Sequence, residues 1–266
     1  MRQRENNWLP VRLMVFFTIL ALTLTLGGCF RSKSASSGGT LFEYLSTTKD
    51  STAFGENKIY GIVSITAVPQ IFQIDSDGSL LGAFSTLASD RDFFQNSQKI
   101  LDKSTPVIVD SMARTKQYLL MPPISLLDDP AYVSAQEESN SAFDYKNIAQ
   151  GYKRISQERR LAQLARSLGM DGAIHVDVTF GYSIDGTNII GLVDFGKNYA
   201  TVKINVTAVD TEARIVWKAS ESSIASKPVT TETEFGSAVD FKQLEPHLME
   251  SLRSTLGKVM DDLGSE

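Results

Sequence analysis

From Ile174 to Ile184, after a turn at MDG, the chain alternates strictly. Ile174, Val176, Val178, Phe180, Tyr182 and Ile184 are separated by residues that include His175, Asp177, Thr179 and Ser183. A period of two places the apolar set on one face of a strand and the polar set on the other. The same period returns from Tyr199, with Ala200, Val202, Ile204, Val206 and Ala208 on one side. DTEA at 210–213 reads as a turn, and RIVWKASES alternates again through Ile215, Trp217 and Ala219. Connections this short predict a three-strand antiparallel meander. A Ser/Thr-rich loop is expected over residues 222–237. The period then changes: Phe241, Leu244, Leu248, Leu252, Leu256, Val259 and Leu263 recur every three to four residues. That stripe predicts a C-terminal amphipathic helix packed on the sheet. Its opposite face carries Glu245, Glu250, Asp261 and Asp262, which argues against lying on an anionic membrane.

Upstream, KIYGIVSITAVPQIFQI at 58–74 has no charge after Lys58, the pattern of a strand buried on both faces, with Pro69 either ending it or marking an edge. DSDG at 75–78 is a turn by composition. Residues 79–116 read as helix interrupted at Pro106, and QYLLMPP at 117–123 as a short buried strand stopped by two prolines. Residues 147–168 read as a helix with Ile155, Leu161, Leu164, Ala165 and Leu168 on one face, closed by Gly169 as a left-handed cap. The order is strand, helix, strand, helix, three-strand meander, helix. This predicts an α/β fold with a mixed sheet, forming a single domain over 58–266.

The N-terminus is a different kind of sequence. Arg2, Arg4 and Arg12 precede LMVFFTILALTLTL, residues 13–26, which carries no charge. Fourteen residues make a helix of roughly 21 Å. That is short of the ~30 Å bilayer core and fits a signal-peptide apolar region instead. Leu26, Gly27, Gly28 and Cys29 follow, and Cys29 is the only cysteine among 266 residues. This stretch resembles the bacterial lipoprotein signal, whose lipobox reads leucine, two small residues and an invariant cysteine. The resemblance implies cleavage after residue 28, a diacylglyceryl thioether on Cys29 and acylation of the new amino group. Several acyl chains give stable anchoring where one gives only marginal binding. RSKSASSGGT at 31–40 has no large apolar residue, so 29–57 is expected to be a lipid anchor and flexible tether. By the sorting rule of enteric-type bacteria, Phe30 in place of Asp after the cysteine implies an outer-membrane position facing the periplasm.

QYLLMPP with the following DDPAY, then LAQLARSLGMDGAIHVDVTFGY and ATVKINVTAVDTEARIVWKAS, resemble a group of envelope lipoproteins. Their domain is like the N-terminal domain of TolB, and the curli-secretion lipoprotein and the activators of peptidoglycan synthases carry related domains. The resemblance implies this fold and an envelope setting. It implies no catalytic residues, since the group includes secretion pores as well as enzyme activators.

Composition narrows the chemistry further. A net charge of −5 offers no concentrated basic surface for nucleic acid. The lone cysteine excludes a disulfide framework and a thiolate metal cluster, and the histidines are only His175 and His247. GLVDFGKN at 191–198 nearly spells a phosphate loop, but Asn198 stands where a hydroxyl is needed and a strand follows instead of a helix. Asp128–Asp129, next to Pro130, reads as a turn, and Arg159–Arg160 as a solvated helix face. No catalytic residue, metal or cofactor is therefore expected. One connection is unexpectedly apolar: DGTNIIGLVDFGKN places Ile189, Ile190, Leu192, Val193 and Phe195 between two meander strands. Either the strands extend into a longer hairpin packed on the body, or this is an exposed partner-contact loop. The leading expectation is a membrane-anchored, non-enzymatic adaptor or assembly factor binding an envelope protein. A subunit of a secretion-type ring or pore is the alternative, and a cell-wall enzyme a third reading.

Overall fold

The apolar run Ile59–Ala67 forms a strand with Val63, Ile65 and Ala67 fully buried, as its uncharged sequence predicts. The computed structural model describes residues 48–69, 71–73, 90–140, 144–185, 197–233, 236–239 and 241–264. The strands in chain order are β1 (Thr48–Lys49), β2 (Ile59–Ala67), β3 (Phe72–Gln73), β4 (Leu119–Leu120), β5 (Asn147–Ile148), β6 (Gly172–Asp185), β7 (Lys197–Asp210), β8 (Ile215–Pro228), β9 (Thr230–Thr233) and β10 (Gly236–Val239). The helices are α1 (Asp90–Ala113), α2 (Pro123–Leu127), α3 (Pro130–Ser134), α4 (Glu158–Ser167) and α5 (Phe241–Gly264).

These elements make an α/β fold around an eight-stranded mixed sheet. Its path is β1-β8-β7-β6-β2-β4, with β3 added to β6 and β5 to β2; β9 and β10 form a separate hairpin. β6, β7 and β8 are the expected antiparallel meander, while β2 lies parallel to both β6 and β4. On one face α1 and α5 cover the sheet through Leu101, Ile108, Leu248, Leu252 and Val259, among others. On the other, α2, α3 and α4 enclose a second core containing Val63, Leu126, Tyr132, Leu161 and Ala165. The sheet takes in chain ahead of Lys58. Thr48 and Lys49 pair with Lys218 and Trp217, and the Phe54 ring stacks on Tyr60 at 5.1 Å.

Several local expectations are corrected. Helix α1 runs through Pro106 instead of stopping there. Proline deletes the helical bond to Asp102 O, but the buried stripe continues past it through Ile108 and Met112. β4 is short, as expected, but lies at the sheet's edge, with Leu119 54% exposed instead of buried. The helix expected over 147–168 is helical only from Glu158; before it come β5 and an irregular stretch with Gly151 at φ 85°. Gly169 does take the left-handed conformation, φ 66°. The Ser/Thr-rich segment 222–237 is not a loop but the end of β8 and most of the β9–β10 hairpin. Ile215 does not alternate into the core with Trp217. A register shift between Ala208 and Val209 places Val216 and Trp217 both inside and leaves Ile215 42% exposed.

Gly172 begins β6 where no side chain fits. A Cβ there would stand 2.2 Å from Tyr60 Cε1 and 2.6 Å from the Val209 carbonyl oxygen. The backbone oxygen belongs to the central ladder and has no room to retreat. Gly172→Ala is expected to lower stability by roughly 1–3 kcal/mol through overpacking. Urea unfolding measures it; an unchanged midpoint would show that the strands shift at no cost.

Candidate functional site

Cys29, with Leu26, Gly27 and Gly28, and the apolar set Ile189, Ile190, Leu192, Val193 and Phe195 lie outside the described residues. The β6–β7 ladder extends to the pair Asp185–Lys197, so the ladder reaches both ends of that connection. The phosphate-loop-like segment also falls there, apart from Lys197 and Asn198, which are in β7.

Residues 135–140 and 144–157, between α3 and α4, contain little regular structure beyond β5. Side chains fix them where regular backbone bonding does not. Arg154 is 5% exposed and donates to Asp144 O at 2.6 Å, to Ser139 O at 3.5 Å, and to the side chains of Asn140 and Asp144. Its guanidinium is thus consumed in holding the loop. Tyr132 Oη donates to Val63 O and accepts from Lys153 N, both at 2.9 Å, tying the same stretch to β2. Burial pushes the Tyr132 hydroxyl's pKa well up, so it stays a neutral donor.

Glu138 closes the strap. Helix α4 starts at Gln157 without a side-chain cap of its own. The Glu138 carboxylate supplies it from a distance, accepting from Ser156 N at 2.8 Å, Ser156 Oγ at 2.7 Å and Gln157 N at 2.9 Å. Partial burial by itself would raise the Glu138 pKa; these hydrogen bonds and nearby Arg154 outweigh it and hold the carboxyl below its ordinary value. The adjacent acids Asp128 and Asp129 are end groups of short helices, as their sequence suggests. Asp129 caps α3 by accepting from Ala131 N at 2.7 Å.

Strap and helices bound a cleft of about 480 Å³. Ala131, Ser134, Ala135 and Gln136 line it from one side, Arg160, Gln163 and Ser167 from α4; Ile155 and Leu164 contribute buried apolar surface. Here the expectation for Arg159–Arg160 divides. Arg159 is exposed, whereas Arg160 is half-buried on the cleft and donates one long bond, to Gln136 O at 3.4 Å. A helix drawn from residue 147 left Arg160 in mid-helix; only Gly151, a poor helix interior residue, signalled the true start.

Beyond the second core, the sheet's face is polar. Asp177 accepts from Thr66 Oγ1 at 2.8 Å and from Lys146 Nζ at 3.0 and 2.9 Å. Asn205 accepts from Ser220 Oγ at 2.8 Å. Burial lowers the His175 pKa, against the pull of Asp177, and its Nδ1 is enclosed with no hydrogen-bond partner among the described residues. His175 therefore stays neutral at pH 7. His247 lies on α5 and meets Glu250 at 3.5 Å. Among the described residues no group of three or more His, Asp or Glu side chains is arranged to hold a metal, and no helix is long and apolar enough to cross a membrane.

No protein-family model matches the chain, and no curated protein matches it. Solved structures do show likeness. The LpoB C-terminal domain of Salmonella enterica aligns with 8% identity over 64% of this chain and 84% of its own, at a TM-score of 0.30. A hypothetical protein of Chlamydia trachomatis gives 10%, 78%, 98% and 0.31, and a Neisseria meningitidis lipoprotein 10%, 79%, 99% and 0.31. At these scores the likenesses carry neither fold nor function across.

The Glu138 cap makes part of the stability pH-dependent. A carboxyl held low in the folded state contributes stability above its unfolded pKa, ~4.3 for Glu. That contribution is lost as pH falls through the lower folded value. Glu138→Gln is expected to cost roughly 0.5–2 kcal/mol at pH 7, the range of a lost cap. It should also flatten the decline in urea midpoint below about pH 4. Identical pH profiles for the variant and the parent would refute the assignment.

Proposed function

We propose that the chain is an envelope lipoprotein, anchored through acyl chains on Cys29, that binds another envelope protein as a non-enzymatic adaptor or assembly factor. The observation that carries this reading is the lipobox. Leu26, Gly27, Gly28 and Cys29 follow a 14-residue uncharged run and precede a Ser/Gly-rich tether, with no other cysteine anywhere in the chain. The described polar groups support a binding role over catalysis. Arg154, Asp129 and Glu138 are engaged in holding loops and helix ends. The outer membrane, facing the periplasm, is the proposed address, from Phe30 at the position after the cysteine. The proposed contact is the connection bearing Ile189, Ile190, Leu192, Val193 and Phe195, which departs from the end of the long β6–β7 ladder.

Two measurements test this. Intact mass and detergent-phase partitioning of the full-length protein should show an acylated chain beginning at Cys29, and Cys29→Ser should abolish acylation and move the protein out of the detergent phase. Retention of the Ser variant in that phase would point to an uncleaved apolar anchor. Native mass in mild detergent should correspond to a single copy alone or with one partner. Ile190→Ser with Phe195→Ser should release that partner without changing the thermal midpoint. A ring-sized mass of many copies would replace the adaptor by the secretion-type oligomer, and a partner retained by the double variant would remove the loop as its contact.

A further inference from the structure

We infer that the cleft between α3 and α4 is a binding site for a carboxylate carried on a short stem, with Arg160 as the group that takes the charge. The chain carries a net charge of −5, yet the cleft lining contains this one cation and no carboxylate. Among the lining residues an anion meets one opposite charge and no carboxylate. Arg154, by contrast, has its guanidinium occupied by the strap. The Arg160 guanidinium makes one long hydrogen bond, to Gln136 O at 3.4 Å, among the described residues. Its planar fork suits a carboxylate, which it can bind through two parallel N–H···O bonds.

The rest of the lining selects what accompanies the charge. Ile155 and Leu164, 2% and 5% exposed, form a closed floor, Ala131, Ser134 and Ala135 leave room above it, and Gln136, Gln163 and Ser167 make the rest of the lining polar. A volume of about 480 Å³ lies within the ~300–1,000 Å³ of small-ligand sites. Phosphate esters suit the cleft less well, because one guanidinium neutralises one charge. A short-chain free acid and the C-terminus of a peptide share the chemistry required. The site is independent of the adaptor reading, since none of its lining residues belongs to the connection between β6 and β7.

The test is a titration of the full-length protein in mild detergent, following the backbone amide resonances of residues 131–136 and 160–167. The probes are propionate, N-acetyl-trialanine with a free carboxylate, and the same peptide as its amide. The two acids should shift these amides saturably, and the amide peptide should bind at least about tenfold more weakly. Arg160→Gln should weaken both acids by a similar factor. Ser134→Phe, which fills the cleft without altering charge, should abolish the shifts at an unchanged thermal midpoint and decides the matter if the Arg160 variant does not fold. Tighter binding of trialanine than of propionate assigns the site to a peptide C-terminus, and equal binding to a small free acid. Equal affinity for acid and amide, full binding by either variant, or no saturable shift at millimolar acid would overturn the inference.

Discussion

A strand lying parallel to its neighbours on both sides has to be covered on both faces, and β2 imposes that condition on the whole molecule. Its neighbours β4 and β6 follow it in the chain and lie on opposite sides of it. A parallel connection needs a crossover, and crossovers share one hand. Moving from β2 outward to β4 with α1, and then back across to β6 with α4, the chain must therefore place these helices on opposite faces. It does so: α1 residues Leu101 and Ile108 belong to the first core, and α4 residues Leu161 and Ala165 to the second. The uncharged run at 59–67 is the sequence counterpart of that two-sided burial. Close approach at Gly61 and Gly172 follows from it as well. At Gly61 a Cβ would stand 2.5 Å from Met170 Sδ and 2.6 Å from Leu126 Cδ1.

The meander is held by a different device. β7 pairs with β8 through a shift between Tyr199 and Thr201, which interrupts the regular ladder. Helix α5 repairs the backbone near this break with two hydroxyls spaced one turn apart. Val202 N donates to Ser251 Oγ at 2.9 Å, and Thr255 Oγ1 donates to Val202 O at 3.1 Å. Both side chains are fully buried within an otherwise leucine-rich stripe. The leucines supply area without direction; the hydroxyls set the position of α5 along the sheet, because a buried backbone group without a partner costs about 1–3 kcal/mol.

What was legible in the sequence was what periodicity encodes. The alternation of Ile174 to Tyr182 and of Ala200 to Ala208, and the stripe Leu244 to Leu263, each report a single face against a single core. Misreadings cluster where backbone geometry is decided by partners far away in sequence. Residues 147–157 carry apolar spacing close enough to helical, but their conformation depends on Tyr132, Ser64 and Glu138, which no local pattern reveals. The end of β8 alternates buried Ser223 and Ala225 with exposed Ile224, Ser226 and Lys227, so Ser/Thr-rich composition suggested a loop where a strand continues. Pro106 is a helix breaker by local rules, and the packing of Ile108 and Met112 in the first core carries the helix past it. Of the site, Arg160 was visible only as half of an arginine pair; its difference from Arg159 arises from the helix start that Glu138 sets.

This last dependence links fold to function. A cleft formed by two regular helices would be only as specific as their side chains, and here one wall is Ala131, Ser134 and Ala135 at the end of a one-turn helix. That wall keeps its place because the chain leaving it is pinned. Lys153 Nζ donates to Val133 O and Ala135 O, both at 2.7 Å, Glu138 holds the start of α4, and Arg154 closes the loop between them. The irregular strap thus spends its polar groups on geometry, and Arg160, one turn into α4, is the cation left over for a ligand. A binding site on a three-layer scaffold, positioned by a loop that side chains hold in place, is the arrangement by which such folds acquire function without altering their cores.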